Sequence, residues 1–157
     1  MVLDTKQFTM RTGSRTFEAA AFLRRSGADT GDVKKLFQND LEGTIAKYDI
    51  IQNAKMYHEG IAVAKVDHTV GRITAAQAAD ELLNISGIDT SFVLFPDQEG
   101  RVILSARSMG DVNVQVVLEK LGGGGNAATA GAQVPGKSVE EVTKDLLRAI
   151  DQYLEEE

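Results

Sequence analysis

The sequence predicts an α/β chain, in which a helical connector precedes a small mixed β-sheet domain packed with helices. Residues from Ser14 to about Ala54 carry apolar spacing of helical type, with no run of strand character. From Gly60 onward the texture changes to β-α-β-β-α-(β)-α, an order that suits a mixed sheet covered by helices. A hydrophobic content of 43% in 157 residues is enough to build a core.

At the start, Val2-Leu3-Asp4 reads as the end of a short strand that delivers a carboxylate at its tip. No earlier strand is there to pair with it, which suggests a chain cut out of something longer. Ser14 can cap a first helix ending near Gly27, and a short second helix is expected from Asp32 to Phe37. A third, led by Asp40, places Leu41, Ile45 and Tyr48 on one stripe. The organisation is therefore 1–13, a strand remnant; 14–56, a helical connector; and 57–157, the sheet domain, with the boundary between Ala54 and Gly60.

In the second part, Ile61 to Val66 is a compact apolar strand. Thr74 with Gln77 has the spacing of a capping box and predicts a helix to about Asn84. Ser91–Phe95 and Arg101–Leu104 flank Pro96-Asp97-Gln98-Glu99-Gly100, which reads as a hairpin turn. Val114, Val117, Leu118 and Leu121 recur at helical spacing, with Asp111 or Asn113 as the cap, and Gly131–Val134 is a short strand. Ser138 and Glu141 form a second capping box, opening a helix with Val139, Val142, Leu146, Ile150 and Tyr153 on its apolar face.

Composition narrows the function. The chain has no cysteine, which removes disulfides, zinc-thiolate sites and thiol catalysis. A net charge of −6 argues against duplex DNA as a partner, while a small anionic ligand needs only a local convergence of basic groups. No Gly-x-Ser-x-Gly elbow is present. Asp67 and His68 supply too few ligands for a catalytic metal and read as a solvated loop, as do His58 and Glu59.

Two strings remain. One is Ser105-Ala106-Arg107-Ser108; the other is the run Gly122, Gly123, Gly124, Gly125, followed by Asn126. Glycine lets a backbone come close to a ligand, and Arg107 could supply a forked, charge-assisted partner for a phosphate. With Asn126 as an N-cap, Ala127 to Ala130 could form a helical turn whose free N–H groups point back toward the glycines. Equally, Gly122 could simply end the preceding helix, with the rest a flexible linker. The residues alone leave both readings open.

Leu3-Asp4-Thr5, Arg11 to Ala20, Ser105-Ala106-Arg107-Ser108, Asn113 to Val116 and Glu119 to Gly125 together resemble the C-terminal part of DHH-family phosphoesterases. The resemblance covers nearly the whole chain and is greatest to cyclic-di-AMP phosphodiesterases of the GdpP type. It implies an upstream catalytic DHH domain holding two Mn2+ ions, of which residues 1–13 would be the last piece and Asp4 a metal ligand. The remainder would be a DHH-associated substrate-binding domain, in which Ser105, Arg107, Gly122 to Gly125 and Asn126 hold a cyclic or linear di-adenylate. The family reads GGGGH where this chain has Asn126, a side chain that donates hydrogen bonds but carries no positive charge.

The parent protein implied is a hydrolase at the cytoplasmic face, anchored through an upstream membrane segment, with room for a homodimer. No catalytic residue falls within the chain itself, which is expected to lack turnover. A cytosolic oligoribonuclease or phosphoadenosine phosphatase of the same family, or a non-catalytic interaction module, are the alternatives.

Overall fold

The computed structural model describes residues 41–157, which form one compact unit. Asp4, the segment 1–13 and the helices expected over 14–37 lie outside the described residues. The order is α1 (Leu41–Gln52), β1 (Ala54–His58), β2 (Ile61–Lys65), α2 (Arg72–Leu82), β3 (Thr90–Pro96), β4 (Arg101–Ser108), α3 (Val114–Glu119), β5 (Gly124–Gly125), β6 (Thr129–Pro135) and α4 (Val139–Glu156).

The strands make a six-stranded mixed sheet in the order β1-β2-β3-β4-β6-β5. Only β2 and β3 run parallel, because α2 carries the chain between them; every other pairing is antiparallel. This is the mixed α/β architecture expected from the alternation of elements after Gly60.

Strand β3 is central, and Thr90 to Phe95 are all buried, as a strand covered on both faces requires. Alternate residues serve different layers. Phe92, Leu94, Val102, Leu104, Ala106, Ala130 and Ala132 pack with Val114, Val117 and Leu118 of α3 and the apolar stripe of α4. Val93, Phe95, Ile103 and Ala64 face the other way, toward Ile50 of α1 and Ala75, Ala78, Ala79 and Leu82 of α2. The stripe predicted for α4 is the buried one: Val142, Leu146, Ile150 and Tyr153 are in the core, and the Ser138–Glu141 capping box is fully formed.

The stripe expected at Leu41, Ile45 and Tyr48 is formed, and two other points of the sequence reading need correction. Leu41, Ile45 and Tyr48 do share a side of α1, but they are 74%, 60% and 50% exposed; Ile50 is the residue of this helix that enters the core. Helix α2 begins at Arg72, after an extended Gly71 whose carbonyl accepts from Ala75 N–H. Thr74 therefore already lies in the first turn and cannot be the N-cap, and no side chain caps this end. Strand β1 escaped prediction altogether: it is an edge strand whose Lys55, Met56 and His58 are exposed, so it lacks an apolar alternation.

Candidate ligand groove beside the glycine run

The glycine run is built into the fold at both ends. Gly122 N–H donates to the Glu119 carbonyl and Gly123 N–H to the Leu118 carbonyl, with Gly122 at φ +83°. This pair of bonds is a Schellman closure of α3. Gly124 and Gly125 then form β5, paired with Gly131 and Ala130 of β6.

Each glycine has its own physical reason, except one. Gly122 needs the left-handed conformation. A Cβ on Gly123 would lie 2.3 Å from the Gly131 carbonyl oxygen, and one on Gly125 would lie 2.3 Å from that of Thr129. A Cβ on Gly124 would meet nothing within 4 Å, and its φ is not in the left-handed region. What borders Gly124 is open space.

That space is a groove of about 580 Å³, lined by Arg72, Ile103, Leu104, Ser105, Gly122, Gly123, Gly124, Gly131, Ala132 and Gln133. Its floor follows from strand register. Ser105 of β4 lies opposite Gly131 of β6, and Gly131 lies opposite Gly124 of β5. The three form one row across the sheet, on the same face as α2 but beyond it. Two of the three are glycines, which leaves the row's backbone accessible.

Among the described residues that line the groove there is no carboxylate, although the chain as a whole is acidic. Among the described residues the Ser105 hydroxyl and the Arg72 guanidinium have no recorded hydrogen-bond or ion-pair partner. Gln133 Oε1 accepts from Arg101 Nη1 at 3.0 Å, which turns the carbonyl side of its amide to that use and leaves the NH2 group as a donor.

The structure thus brings together Ser105 and Gly122 to Gly124, and places Arg107 and Asn126 apart from them. Arg107 lies on the same face of β4 as Ser105, but Nε donates to Asp80 Oδ1 of α2 at 3.1 Å and Nη1 to its neighbour's carbonyl, that of Ala106. Arg107 is not among the residues lining the groove.

Asn126 does not start a helical turn. Its Oδ1 accepts from the N–H groups of Ala128 and Thr129, both at 2.9 Å, and its own N–H donates to the Thr129 carbonyl. Two of the N–H groups expected to face the glycines, those of Ala128 and Thr129, are consumed in this turn, and Thr129 begins β6 instead. Asparagine side chains make this bond in Asx turns as readily as at helix N-caps, so sequence alone does not distinguish the two.

Arg72 is the charged residue of the groove that sequence reasoning missed, and Gln133 was missed with it. Arg72 sits in a polar-looking stretch far from the glycines in the chain, and only the packing of α2 on β3 and β4 brings it alongside Ser105.

Elsewhere, Asn113 caps α3 by accepting from Gln115 and Val116 N–H. His68 bridges Asp67 and Asp49 at 3.3 Å each, tying the loop after β2 to α1. His58 and Tyr57 both bond to Asp151 of α4, at 2.8 and 2.7 Å. These two bonds, that of His58 first, hold the Asp151 carboxyl below its usual pKa, and the same contact raises that of Tyr57. No group of three or more His, Asp or Glu among the described residues could hold a metal ion. Nor is any helix among them long and apolar enough to cross a membrane.

Known proteins are similar to this chain over nearly its whole length. A cyclic-di-AMP phosphodiesterase GdpP of Geobacillus thermodenitrificans (strain NG80-2) is 46% identical over 157 residues, 99% of this chain and 24% of that protein. A cyclic-di-AMP phosphodiesterase PdeA of Listeria monocytogenes serotype 1/2a (strain 10403S) is 43% identical over 155 residues, 98% of this chain and 24% of that protein. The chain therefore spans about a quarter of the length of these relatives. In fold, it superposes on an exopolyphosphatase-related protein from Bacteroides fragilis with a TM-score of 0.86, at 21% identity, covering 98% of this chain and 48% of that one. The DHHA1 domain matches residues 58–156, and the chain belongs to that domain family.

Proposed function

We propose that the groove over Gly124 seats a phosphodiester-linked di-adenylate, and that this chain is the substrate-holding portion of a cyclic-di-AMP phosphodiesterase. Gly124 carries the reading: it is the one glycine of the run that neither its φ nor its packing demands, and it opens directly onto the groove. A backbone left bare with no structural need is suited to close approach by a ligand. The acid-free wall and the unused Ser105 hydroxyl favour an anion there. Both relatives named above are cyclic-di-AMP phosphodiesterases.

Turnover belongs, in this reading, to an upstream DHH domain at the cytoplasmic face of a membrane, with Asp4 as one ligand of a two-ion Mn2+ centre. Such ions supply Lewis-acid activation of water when bound. The described residues contribute orientation of the ligand, and the 157-residue chain by itself is expected to bind without hydrolysing.

Calorimetric titration of the 157-residue chain with cyclic-di-AMP and with linear pApA tests this. Binding of cyclic-di-AMP should be lost in Gly124→Val, which fills the groove, and retained in Gly124→Ala, with both melting near the unsubstituted chain. Unchanged affinity in Gly124→Val would overturn the groove. Marked preference for pApA would favour an oligoribonuclease-type substrate instead.

A further inference from the structure

We infer that Arg72 is a specificity-determining residue of this groove, which engages the second phosphate of a two-phosphate ligand. The inference rests on the groove reading above and adds to it a residue and a selectivity. Arg72 is the first residue of α2 and the only ionisable group among the described residues that line the groove.

The contrast with Arg107 carries the inference. Both arginines belong to the α2 side of the sheet, one at each end of the helix, since Arg107 bonds to Asp80. Residues 72 and 80 are separated by roughly 12 Å along α2, from the rise per residue of a helix. The guanidinium of Arg107 is committed to a carboxylate and 16% exposed. That of Arg72 is exposed, has no partner among the described residues, and shares the groove with no carboxylate among them.

Besides the Gln133 NH2 group, two donors of different kind are therefore presented to one ligand. Ser105 lies in the floor, in register with Gly131 and Gly124, where a hydroxyl suits a single phosphate oxygen. Arg72 enters the same groove from the first turn of α2, where a planar fork suits two oxygens of another phosphate. A dinucleoside with one phosphodiester would use the first and leave the second idle. A cyclic dinucleotide, or a linear one with a terminal phosphate, would use both.

The test compares cyclic-di-AMP, with two phosphates, against ApA, with one, on the 157-residue chain and its Arg72→Gln and Arg72→Lys variants. Arg72→Gln should weaken cyclic-di-AMP by at least about tenfold, in line with loss of a charge-assisted hydrogen bond. It should weaken ApA by less than about twofold, so that the preference between them collapses. Arg72→Lys, which keeps charge without the fork, should fall between. Melting temperatures should stay together, because among the described residues the side chain has no hydrogen bond or ion pair to lose.

Equal weakening of both ligands, or of neither, would overturn the role given to Arg72. If Gly124→Val still abolishes binding in that case, the groove stands and only this inference falls. If the unsubstituted chain binds neither ligand, both fall.

Discussion

Arg107 and Asp80 clasp β4 to the C-terminal turns of α2, Nε to Oδ1 at 3.1 Å, with 16% and 28% of the two side chains exposed. A charge-assisted bond in this half-buried position costs most when only one partner is removed. Arg107→Ala and Asp80→Ala should each lower unfolding free energy by about 1–3 kcal/mol. The double variant should lose less than the sum, with a coupling of about 0.5 kcal/mol or more in urea denaturation. Additive losses would show that the pair does not act as a unit.

Within the glycine run, adjacent positions should respond oppositely. Gly123→Ala drives a methyl against the Gly131 carbonyl and Ala132, and should cost about 1–3 kcal/mol as an overpacked contact. Gly124→Ala meets open space and should stay within about 0.5 kcal/mol of the unsubstituted chain. Thermal melts of the two variants decide this directly; equal losses would mean that the run is uniformly a packing feature.

Asn126 should prove a stability residue of the β5–β6 turn. Its Oδ1 accepts two backbone N–H groups, so Asn126→Ala should cost about 1 kcal/mol or somewhat more. Asn126→Asp keeps the acceptor and should retain most of that stability. A full loss in the aspartate variant would contradict the turn geometry.

The Tyr57–Asp151–His58 contact predicts a pH response at both extremes. Asp151 has a lowered folded pKa, because of its bond to His58 and then that to Tyr57. Its contribution is present above the ordinary carboxylate value of about 3.9 and is lost as pH falls through the lowered folded value. Tyr57 has a raised folded pKa, from the hydrogen bond to Asp151 first. Its contribution is present below about 10 and is lost as pH rises through the raised value. Asp151→Asn should flatten the acid limb of the melting profile and return the tyrosinate absorbance transition toward its ordinary pH. An unaltered tyrosinate transition would separate Tyr57 from Asp151.

Much of the sheet domain was readable because local signals agreed with tertiary demand. The Thr90–Ser108 hairpin announced itself by apolar runs around Asp97 and Gly100, and Asp97 indeed accepts from Glu99 and Arg101 N–H in the turn. Asn113 and Ser138 capped the helices they precede. Strand β1 failed because an edge strand with an exposed side lacks the alternation that prediction needs. Of the residues that line the candidate groove, Ser105 and Gly122 to Gly124 stood out in the sequence by their unusual composition. Arg72 was invisible, because the sequence cannot say which exposed arginine a helix will set down beside a distant loop. Arg107 was read as a ligand contact for its charge, and Asp80, its partner, gave no sequence signal of its own.

The Schellman closure and the β5 pairing have a thermodynamic consequence. A free stretch of four glycines would have to be ordered each time a ligand arrived, and glycine has the most backbone freedom to surrender. Here that ordering is completed when the chain folds: Gly122 and Gly123 are tied to α3, and Gly124 and Gly125 to β6. The lip of the groove is thus preorganised, and the contact energy of the proposed ligand would appear as affinity instead of being spent on fixing the loop.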